Sequence, residues 1–407
     1  MTAETTKRLH FSTARFCRAA VPGAVLLLSC LLFGCKGAPA AAADAVETAA
    51  DVVSPVDVNA AEVAADAQAP DTAPALTVTL HGATVAGLGL ADVDFAGADI
   101  AAVRTGAAIA NIPAGVNVVD VTGMWLAPAA IDSHVHLLIM KEWAKMAAGG
   151  VAVAVDLAAP VEVFQTNFEP LQVLASGPML TAPGGYPIMS WGKQGFAIGV
   201  ANGPAAADAV KMLAGMGARA IKVPLETGPK LSLETLQAAV VAAHQLGLPV
   251  VTHALREVDA MTAANAGVDA LAHTPFQPLS QATVQAWSGR AVISTLVSYG
   301  RQIGVQNIAR LRSAGVTVLY GTDFGKTTPA GIQEAELTLL LQSGMDGEAI
   351  LKSMTTAPAE FWKLPRHGTI AVGKAASVLV LSADPLSTPL TLAKPAHVWL
   401  EGKLVAP

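Results

Sequence analysis

The chain has 407 residues, which is enough for one large α/β domain and a smaller accessory one. Its apolar content of 53% is inflated by alanine, and aromatic residues make up only 5%, so the composition does not require a membrane protein. Residues 76–407 carry a formal charge of only −3 and contain no basic patch, which argues against nucleic-acid binding.

The first 34 residues have the features of a bacterial signal peptide. Basic side chains up to position 18 precede the apolar run Ala19–Gly34, which is short for a membrane-spanning helix but typical of a signal-peptide core. The run ends in LFGC, which resembles a lipobox, so we expect Cys35 to be lipidated. An ordinary cleaved signal is one alternative, and Cys30 as the lipid acceptor is another.

Residues 35–75 are predicted to form a solvated, disordered tether. The segment is rich in Ala, Pro and Asp and has no aromatic residue, so it cannot bury enough apolar surface to offset its ordering entropy. All three cysteines, Cys17, Cys30 and Cys35, precede the body of the protein, which excludes a disulfide framework there. We therefore expect an exported lipoprotein, anchored to a membrane and facing the periplasm or the cell surface.

Two segments of short alternating strands, residues 76–125 and 364–407, flank the middle of the chain, and we expect them to form one composite β-sandwich. Between them, residues 126–363 alternate strand-like runs with helical stretches. This alternation is typical of an α/β fold and predicts a (β/α)8 TIM-type barrel. The eight strand-like runs are IDSHVH, VAVAVDLA, QVLASGPML, AIKVP, PVVTHA, DALAHT, AVISTLVSY and VTVLYGTD.

His134 and His136 end the first of these runs. Side chains two positions apart point to the same face of a strand, so both imidazoles can face the barrel mouth and hold one cation. Barrels of this type keep their reactive groups at the carboxyl ends of the strands. A chance pair on a solvated strand is the alternative, and the position directly after the apolar start of a barrel strand favours metal ligands.

Lys222, in the run AIKVP, is an unusual residue for a core strand because a buried ammonium is costly unless it is paired. A protonated lysine would repel a metal, so it could serve as a ligand only if neutral or if carbamylated by CO2 to a carboxylate that bridges two ions. The alternatives are a lysine that extends to the rim or one that pairs with Glu226.

His253 and His273 each follow an apolar strand, and their separation of 20 residues leaves room for one short helix. Neighbouring strands could thus supply ligands to a second metal, although either histidine alone could be an ordinary core residue. Asp323 follows VTVLYGT, where a carboxylate can accept the proton of a metal-bound water. The alternative for Asp323 is a turn residue before Gly325.

The segments that carry these residues resemble the amidohydrolase superfamily, and within it the branch similar to imidazolonepropionases and Xaa-Pro dipeptidases. The resemblance extends from about position 76 to the end and implies a barrel with a β-sandwich. It also implies hydrolysis at carbon–nitrogen, sometimes ester or phosphoester, bonds. The motifs are APAAIDSHVHL, LASGPMLTAPGGYP, GARAIKVP, LGLPVVTHA, AGVDALAHT, AGVTVLYGTDFG, MTTAPAEFWKL and GTIAVGKAASVLVLSADPL.

The resemblance also implies a site with two divalent ions, with zinc the expected metal. His134 and His136 would bind one ion, and His253 and His273 the other. A carbamylated Lys222 would bridge the ions, and Asp323 would be both a ligand and the general base.

Two departures from the family pattern concern the pocket. The family's GGH loop ends in Tyr186 here, and Leu255 stands where peptidase-like members often have an aromatic residue or histidine. Recognition of a dipeptide's carboxylate would then depend on Tyr186 or Arg256. Arg256 also replaces the glutamate of the HxxE pattern in deaminase branches, which argues against nucleobase deamination.

The sequence thus predicts an enzyme, a metal-dependent hydrolase of amide, peptide or cyclic amide bonds that uses a hydroxide bridging two metal ions. One alternative is a mononuclear amidohydrolase in which Lys222 is only structural. Another is a surface binding lipoprotein without turnover, because a fold does not establish a function. The expected partners are a small-molecule substrate and, through the lipid, a membrane, with the oligomeric state left open.

Overall fold

The structure is a computed structural model that describes residues 75–406 except for 107–110 and 113. The signal peptide, nearly all of the tether and the lipidation candidates Cys30 and Cys35 lie outside the described residues. Within the described part of the chain, no helix has the length and apolarity needed to cross a membrane.

The strands and helices alternate through the middle of the chain, and strands dominate both flanks. The strands are β1 Val78–Val85, β2 Gly89–Ala96, β3 Asp99–Thr105, β4 Asn117–Asp120, β5 Trp125–Pro128, β6 Ala130–Val135, β7 Val151–Asp156, β8 Gln172–Ala175, β9 Met179–Thr181, β10 Ala197–Gly199, β11 Ile221–Pro224, β12 Val250–His253, β13 Ala270–Leu271, β14 Ala291–Ile293, β15 Thr317–Leu319, β16 Val378–Leu381, β17 His397–Leu400 and β18 Lys403–Ala406. The α-helices are α1 Trp143–Ala148, α2 Gly203–Gly215, α3 Leu233–Gln245, α4 Glu257–Ala266, α5 Gln281–Ala286, α6 Arg301–Ser313, α7 Glu334–Gln342, α8 Gly347–Met354 and α9 Thr356–Phe361. A turn of π-helix, Leu296–Gly300, leads into α6.

The flanking strands join in one eight-stranded sheet of order β18-β17-β16-β5-β1-β2-β3, with β4 paired to β1. A register shift between Leu80 and Ala83 divides β1, so that its first half pairs with β4 and its second half with β5. Because β5 bonds to both β1 and β16, the two ends of the chain share this sheet. Strand β3 was not anticipated from the sequence. The two-layer sandwich remains a prediction, since the hydrogen bonds define a single sheet.

Each of the eight predicted barrel runs contains a parallel strand. Strands β6, β7 and β8 form a three-stranded sheet, and β11 to β15 follow one another in a five-stranded sheet. The first and last strands are also bonded, because Ser133 N donates to Tyr320 O at 2.9 Å and His136 N donates to Phe324 O at 2.7 Å. Strands β8 and β11 are linked by Arg219 N, which donates to Ala175 O at 2.9 Å.

Local sequence signals account for the positions of the helices between these strands. Ser232 begins α3 by accepting from Thr235 N at 3.2 Å, and Asn202 begins α2 by accepting from Ala205 N at 3.0 Å. Such caps satisfy backbone N–H groups that have no partner within the helix. The strands between the helices are made almost wholly of buried apolar residues, as in β7, and they belong to one hydrophobic core.

Candidate metal centre

The carboxyl ends of the parallel strands surround one cavity of about 540 Å³. All six side chains predicted to form the metal site line it, namely His134, His136, Lys222, His253, His273 and Asp323. His136, His253 and His273 lie at or just after the end of a strand. His134 and Lys222 lie within β6 and β11, and Asp323 follows β15 by four residues. All six side chains are nearly fully buried. These six residues, which are far apart in the sequence, therefore lie close together in the structure.

The shortest distances in the cluster are between the two histidines at the end of β6 and Asp323, which lies in the loop after β15. Asp323 Oδ1 lies 3.3 Å from His136 Nε2 and 3.6 Å from His134 Nε2, and the two Nε2 atoms are 3.3 Å apart. His273 completes the group, since one ligand atom each from His134, His273 and Asp323 lie within 4.8 Å of one another. Such separations suit donors that share a cation.

The second nitrogen of each imidazole is held by the protein. His134 Nδ1 lies 2.9 Å from Ala272 O, and His273 Nδ1 lies 3.0 Å from Thr295 Oγ1. Burial lowers the pKa of both histidines well below the usual value, which favours the neutral ring. If His134 Nδ1 donates to the carbonyl, its Nε2 lone pair faces the cavity, as a metal ligand requires.

Asp323 reaches the histidines through a tight backbone turn. Its φ of 55° lies in the left-handed region, which aspartate tolerates better than most residues, and its N–H donates to His134 O at 2.8 Å. Glycines on either side permit this approach. A Cβ at Gly321 would lie 2.4 Å from Ile293 Cγ2, and one at Gly325 would lie 2.7 Å from His136 Cβ.

The surroundings of Asp323 keep its carboxyl group ionised. Burial alone would raise its pKa, but the imidazoles of His134 and His136 and a hydrogen bond from Ser298 outweigh burial and hold the pKa below its usual range. Ser298 Oγ donates to Asp323 Oδ2 at 2.7 Å, which leaves Oδ1 directed toward the histidines. The group can therefore act as an anionic ligand or accept a proton.

Two buried aspartates that sequence reasoning did not single out support this arrangement. Asp132 Oδ2 accepts from Thr322 Oγ1 at 2.6 Å and Asp132 Oδ1 accepts from His134 N at 3.1 Å, so it ties the first strand to the Asp323 turn. Asp156 Oδ2 accepts from Leu137 N at 2.9 Å and steadies the chain after His136. Burial raises the pKa of Asp132 to about 7 and that of Asp156 to about 6.

Lys222 is buried in the cavity wall, and within the described residues its Nζ has no hydrogen-bond partner. Burial lowers its pKa to about 7, against the opposing charge of Asp323. Glu226 bonds instead with His253, whose Nε2 lies 3.1 Å from Glu226 Oε2, and this bond lowers the pKa of Glu226 to about 2. The alternative in which Lys222 pairs with Glu226 is therefore wrong.

The two predicted substrate residues have different positions. Tyr186 lines the cavity, and its hydroxyl accepts from Trp191 Nε1 at 2.9 Å. Arg256 is not part of the lining, because its Nε donates to Asp259 Oδ2 at 2.7 Å at the start of α4. Three further lining residues, Trp191, Tyr299 and Lys326, escaped sequence reasoning, because Trp191 and Tyr299 lie in short turns of 3-10 and π helix and Lys326 lies in the loop after Asp323.

The donor set fits a divalent metal. Buried neutral imidazoles and an ionised carboxylate are the ligands that zinc prefers. The strongest single indication is Lys222 Nζ, which has no hydrogen-bond partner in the part of the chain that the structure describes, because a buried amine without a partner is costly unless it has a function. Carbamylation would turn this amine into an anionic oxygen donor beside the histidines.

A model of the amidohydrolase family matches residues 191–406, which is more than half of the chain. The match includes Lys222, His253, His273 and Asp323 but begins after the first barrel strand. An uncharacterized protein of Mycobacterium tuberculosis is 26% identical over 204 residues, 45% of this chain and 54% of the relative. An uncharacterized protein of Mycobacterium bovis gives the same figures. The chain thus spans about half the length of these curated relatives.

Solved structures show the same fold. A Xaa-Pro dipeptidase with bound methionine in its active site superposes with a TM-score of 0.70 at 17% identity, covering 80% of this chain and 99% of the dipeptidase. An ochratoxinase from A. niger gives 0.67 at 20% identity, with 81% and 96% covered. A phenylurea hydrolase B gives 0.67 at 17% identity, with 80% and 96% covered.

The TIM-type α/β barrel fold of these proteins is the fold predicted from the alternating strands. Family membership also implies the binding of divalent metal, which the cluster of histidines and Asp323 can provide. The matched family model and the residues at the carboxyl ends of the strands agree with the resemblance drawn from the motifs. This chain belongs to the amidohydrolase family.

Proposed function

We propose that this protein is a metal-dependent hydrolase of carbon–nitrogen bonds in amides, peptides or cyclic amides. The observation that carries the proposal is the group formed by His134, His273 and Asp323, whose ligand atoms lie within 4.8 Å of one another. It stands in a cavity at the carboxyl ends of the strands, where barrel enzymes place their active sites. We also infer that β6 to β15 close into a (β/α)8 barrel and that the flanking sheet folds as a sandwich.

Six side chains would hold two divalent ions. Zinc is the expected metal, because the donors are imidazoles and carboxylates. The six side chains are His134, His136, His253, His273, Asp323 and a carbamylated Lys222. Bound in this way, the ions would polarise the carbonyl of the scissile bond and supply a bridging hydroxide at neutral pH.

Asp323 would transfer the proton from the attacking water to the leaving group. Asp323 is ionised and fixed by Ser298, so it can take a proton from the attacking water and deliver it to the leaving nitrogen. Trp191, Tyr186 and Tyr299 line the cavity with aromatic surface, which excludes water and accommodates an apolar part of the substrate.

A mononuclear enzyme is the second candidate, and one observation favours it. His253 Nε2 already forms a hydrogen bond with Glu226 Oε2 at 3.1 Å. His134, His273 and Asp323 could hold one ion without His253. Measuring metal per chain after loading with zinc separates the two candidates. Two ions per chain support the bridging arrangement, and one ion supports the mononuclear site.

Turnover tests the proposed function directly. The metal-loaded protein is screened against dipeptides, acylated amino acids and lactams, with Asp323→Asn as the inactive variant and Asp208→Asn, an exposed residue of α2, as the matched control. Hydrolysis that is lost only in Asp323→Asn supports the proposal. A protein that binds its metals and hydrolyses no member of the library would count against the proposal and favour the alternative of a surface binding lipoprotein without turnover.

We further propose that Cys35 carries a lipid anchor that holds the enzyme outside the cytoplasm, with residues 35–75 as the tether. The LFGC motif and the acidic, aromatic-free segment behind it support this. Cys35→Ala should release the protein from the membrane fraction and leave its specific activity unchanged. Unchanged membrane retention would contradict Cys35, and a parallel Cys30→Ala variant would then test the other acceptor.

A further inference from the structure

The mouth of the cavity combines apolar side chains with very few charges. Ile139 is 43% exposed and Trp191 is 37% exposed, and both line the cavity, with the buried Met179 deeper inside. Large apolar side chains left open at a pocket indicate a surface that a ligand covers. The cationic side chains in the lining are Lys222, which is buried in the wall, and Lys326 at the rim.

Lys326 is held at the rim by the Asp323 turn. Its backbone N–H donates to Asp323 O at 3.0 Å, so the lysine is fixed three residues from the central carboxylate. Its Nζ lies 2.9 Å from the centre of the Tyr299 ring, a cation–π contact. Among the residues that the structure describes, no carboxylate forms an ion pair with it.

The contact with Tyr299 also places the ammonium group beside the histidines of the candidate metal site. The Tyr299 ring centre lies 4.6 Å from that of His273 and 5.6 Å from that of His253. A group bound by Lys326 would therefore stand on the Tyr299 side of the cavity. Trp191, whose ring centre is 5.8 Å from that of His136, marks another wall.

The other cation considered for substrate recognition is already engaged. Arg256 donates to Asp259, which Lys230 also contacts through its Nζ at 2.5 Å, so this arginine is neutralised outside the cavity. The Lys326 ammonium keeps its donors free for an incoming anion. A carboxylate would offer it charge-assisted hydrogen bonds that the face of a ring cannot replace.

We propose that Lys326 binds the free carboxylate of the substrate, and that the substrates are acylated amino acids or dipeptides with an apolar side chain. This inference rests on the proposed function, because it places the carboxylate a short distance from the bond to be cleaved. The apolar side chain would lie against Trp191, Ile139 and Met179. Neutral lactams and substrates with a blocked carboxyl end would bind more weakly.

Ligand binding tests this inference without any turnover. Calorimetry on the metal-loaded protein compares 3-phenylpropanoate with 3-phenylpropanol, which share the apolar part and differ in the anion. The variants are Lys326→Met, which removes the charge, and Lys326→Arg, which keeps it. Lys193→Met is the matched control, since it removes an exposed positive charge two residues after Trp191 without altering the lining.

We expect Lys326→Met to weaken binding of the carboxylate by about 10-fold, the lower end for a charge-assisted hydrogen bond at a solvent-exposed rim. Binding of the alcohol should change by less than about twofold. Lys326→Arg and Lys193→Met should keep the preference for the carboxylate. In the wild type, raising the salt concentration should reduce this preference, as for an exposed ion pair.

Equal weakening of both probes in Lys326→Met, or no weakening of either, would overturn the inference. The two proposals can fail separately. A protein that prefers the carboxylate through Lys326 but hydrolyses no amide would refute the proposed function and leave the binding role intact. If the protein is an active hydrolase but its affinities for the two probes do not change in Lys326→Met, only the binding role of Lys326 is refuted.

Discussion

Replacing Lys222 by methionine separates a lysine that serves the metal site from one that merely supports the barrel. The side chain is only 1% exposed and its Nζ has no hydrogen-bond partner within the described residues. Leaving a polar group buried and unsatisfied costs about 1–3 kcal/mol. Methionine has a similar length and volume, and volume-conserving exchanges cost less than about 1.5 kcal/mol.

We therefore expect Lys222→Met to leave the metal-free protein as stable as the wild type or more stable, by up to about 2 kcal/mol. The melting temperature of chelator-treated protein would then stay constant or rise by a few degrees. If Lys222 carries the proposed bridging carboxylate, the same variant should lose about half of its bound metal and most of its activity. Only a functional lysine combines a neutral or favourable effect on folding with a loss of metal.

Calorimetric melting of the metal-free proteins and metal analysis of the loaded ones give the two readouts. Lys211→Met, on the exposed face of α2, is the matched control and should alter neither. In Lys222→Ala, added acetate or propionate should partly restore activity by replacing the lost carboxylate. A Lys222→Met variant that melts several degrees lower while keeping two metals and a normal rate would refute carbamylation and make the lysine structural.

Three further variants test other parts of the site and fold. Asp323→Asn should retain the fold and reduce turnover by ~10²–10⁴, the usual effect of a positioned general base, and a normal rate with metal retained would make it only a turn residue. Glu336 is buried, and its oxygens accept from Leu296 N and Val297 N at 2.8 Å, which fixes the π-helical turn that carries Ser298. Glu336→Gln should therefore lower the free energy of unfolding by about 1–3 kcal/mol and reduce kcat, and an unchanged urea midpoint would contradict this. Burial lowers the pKa of His367 to about 4, so its neutral form stabilises the fold above pH 6.5 and this stability is lost as the pH falls toward 4. Between pH 7 and pH 5, the melting temperature of His367→Gln should accordingly fall less than that of the wild type. An equal fall in both proteins would exclude a role for this histidine in the pH dependence of stability.

The strand ends were predictable from the sequence because the barrel repeats a simple pattern. Each short β-branched run had to be buried on both faces, so its end marked the point where a polar side chain could meet the cavity. His134 and His136 illustrate this, because the two-residue period of a strand alone places both rings on one side. Lys222 was recognisable for the complementary reason, as a charge inside such a run.

The contacts that orient these residues were not predictable, because they join parts of the chain that are far apart. Asp132 meets Thr322 across 190 positions, and no local pattern marks such a pair. Strand β3 was missed because its alanine-rich run lacks clear alternation, yet it pairs along most of β2. Arg256 was chosen for its proximity in sequence to His253, but the start of α4 turns it toward Asp259.

The side chains that select the substrate lie around the cavity and are not determined by the barrel fold. The dipeptidase, the ochratoxinase and the phenylurea hydrolase share this fold, so the fold alone does not select a substrate. Selection must come from other side chains that line the cavity, such as Trp191, Tyr299 and Lys326. Because Lys326 follows the Asp323 turn by only three residues, its position depends on the same backbone that fixes the central carboxylate. A substitution of the exposed Lys326 side chain leaves this backbone in place, so it should alter specificity and leave the metal content intact. A substitution at Gly325, where an added Cβ would lie 2.7 Å from His136 Cβ, should disturb both.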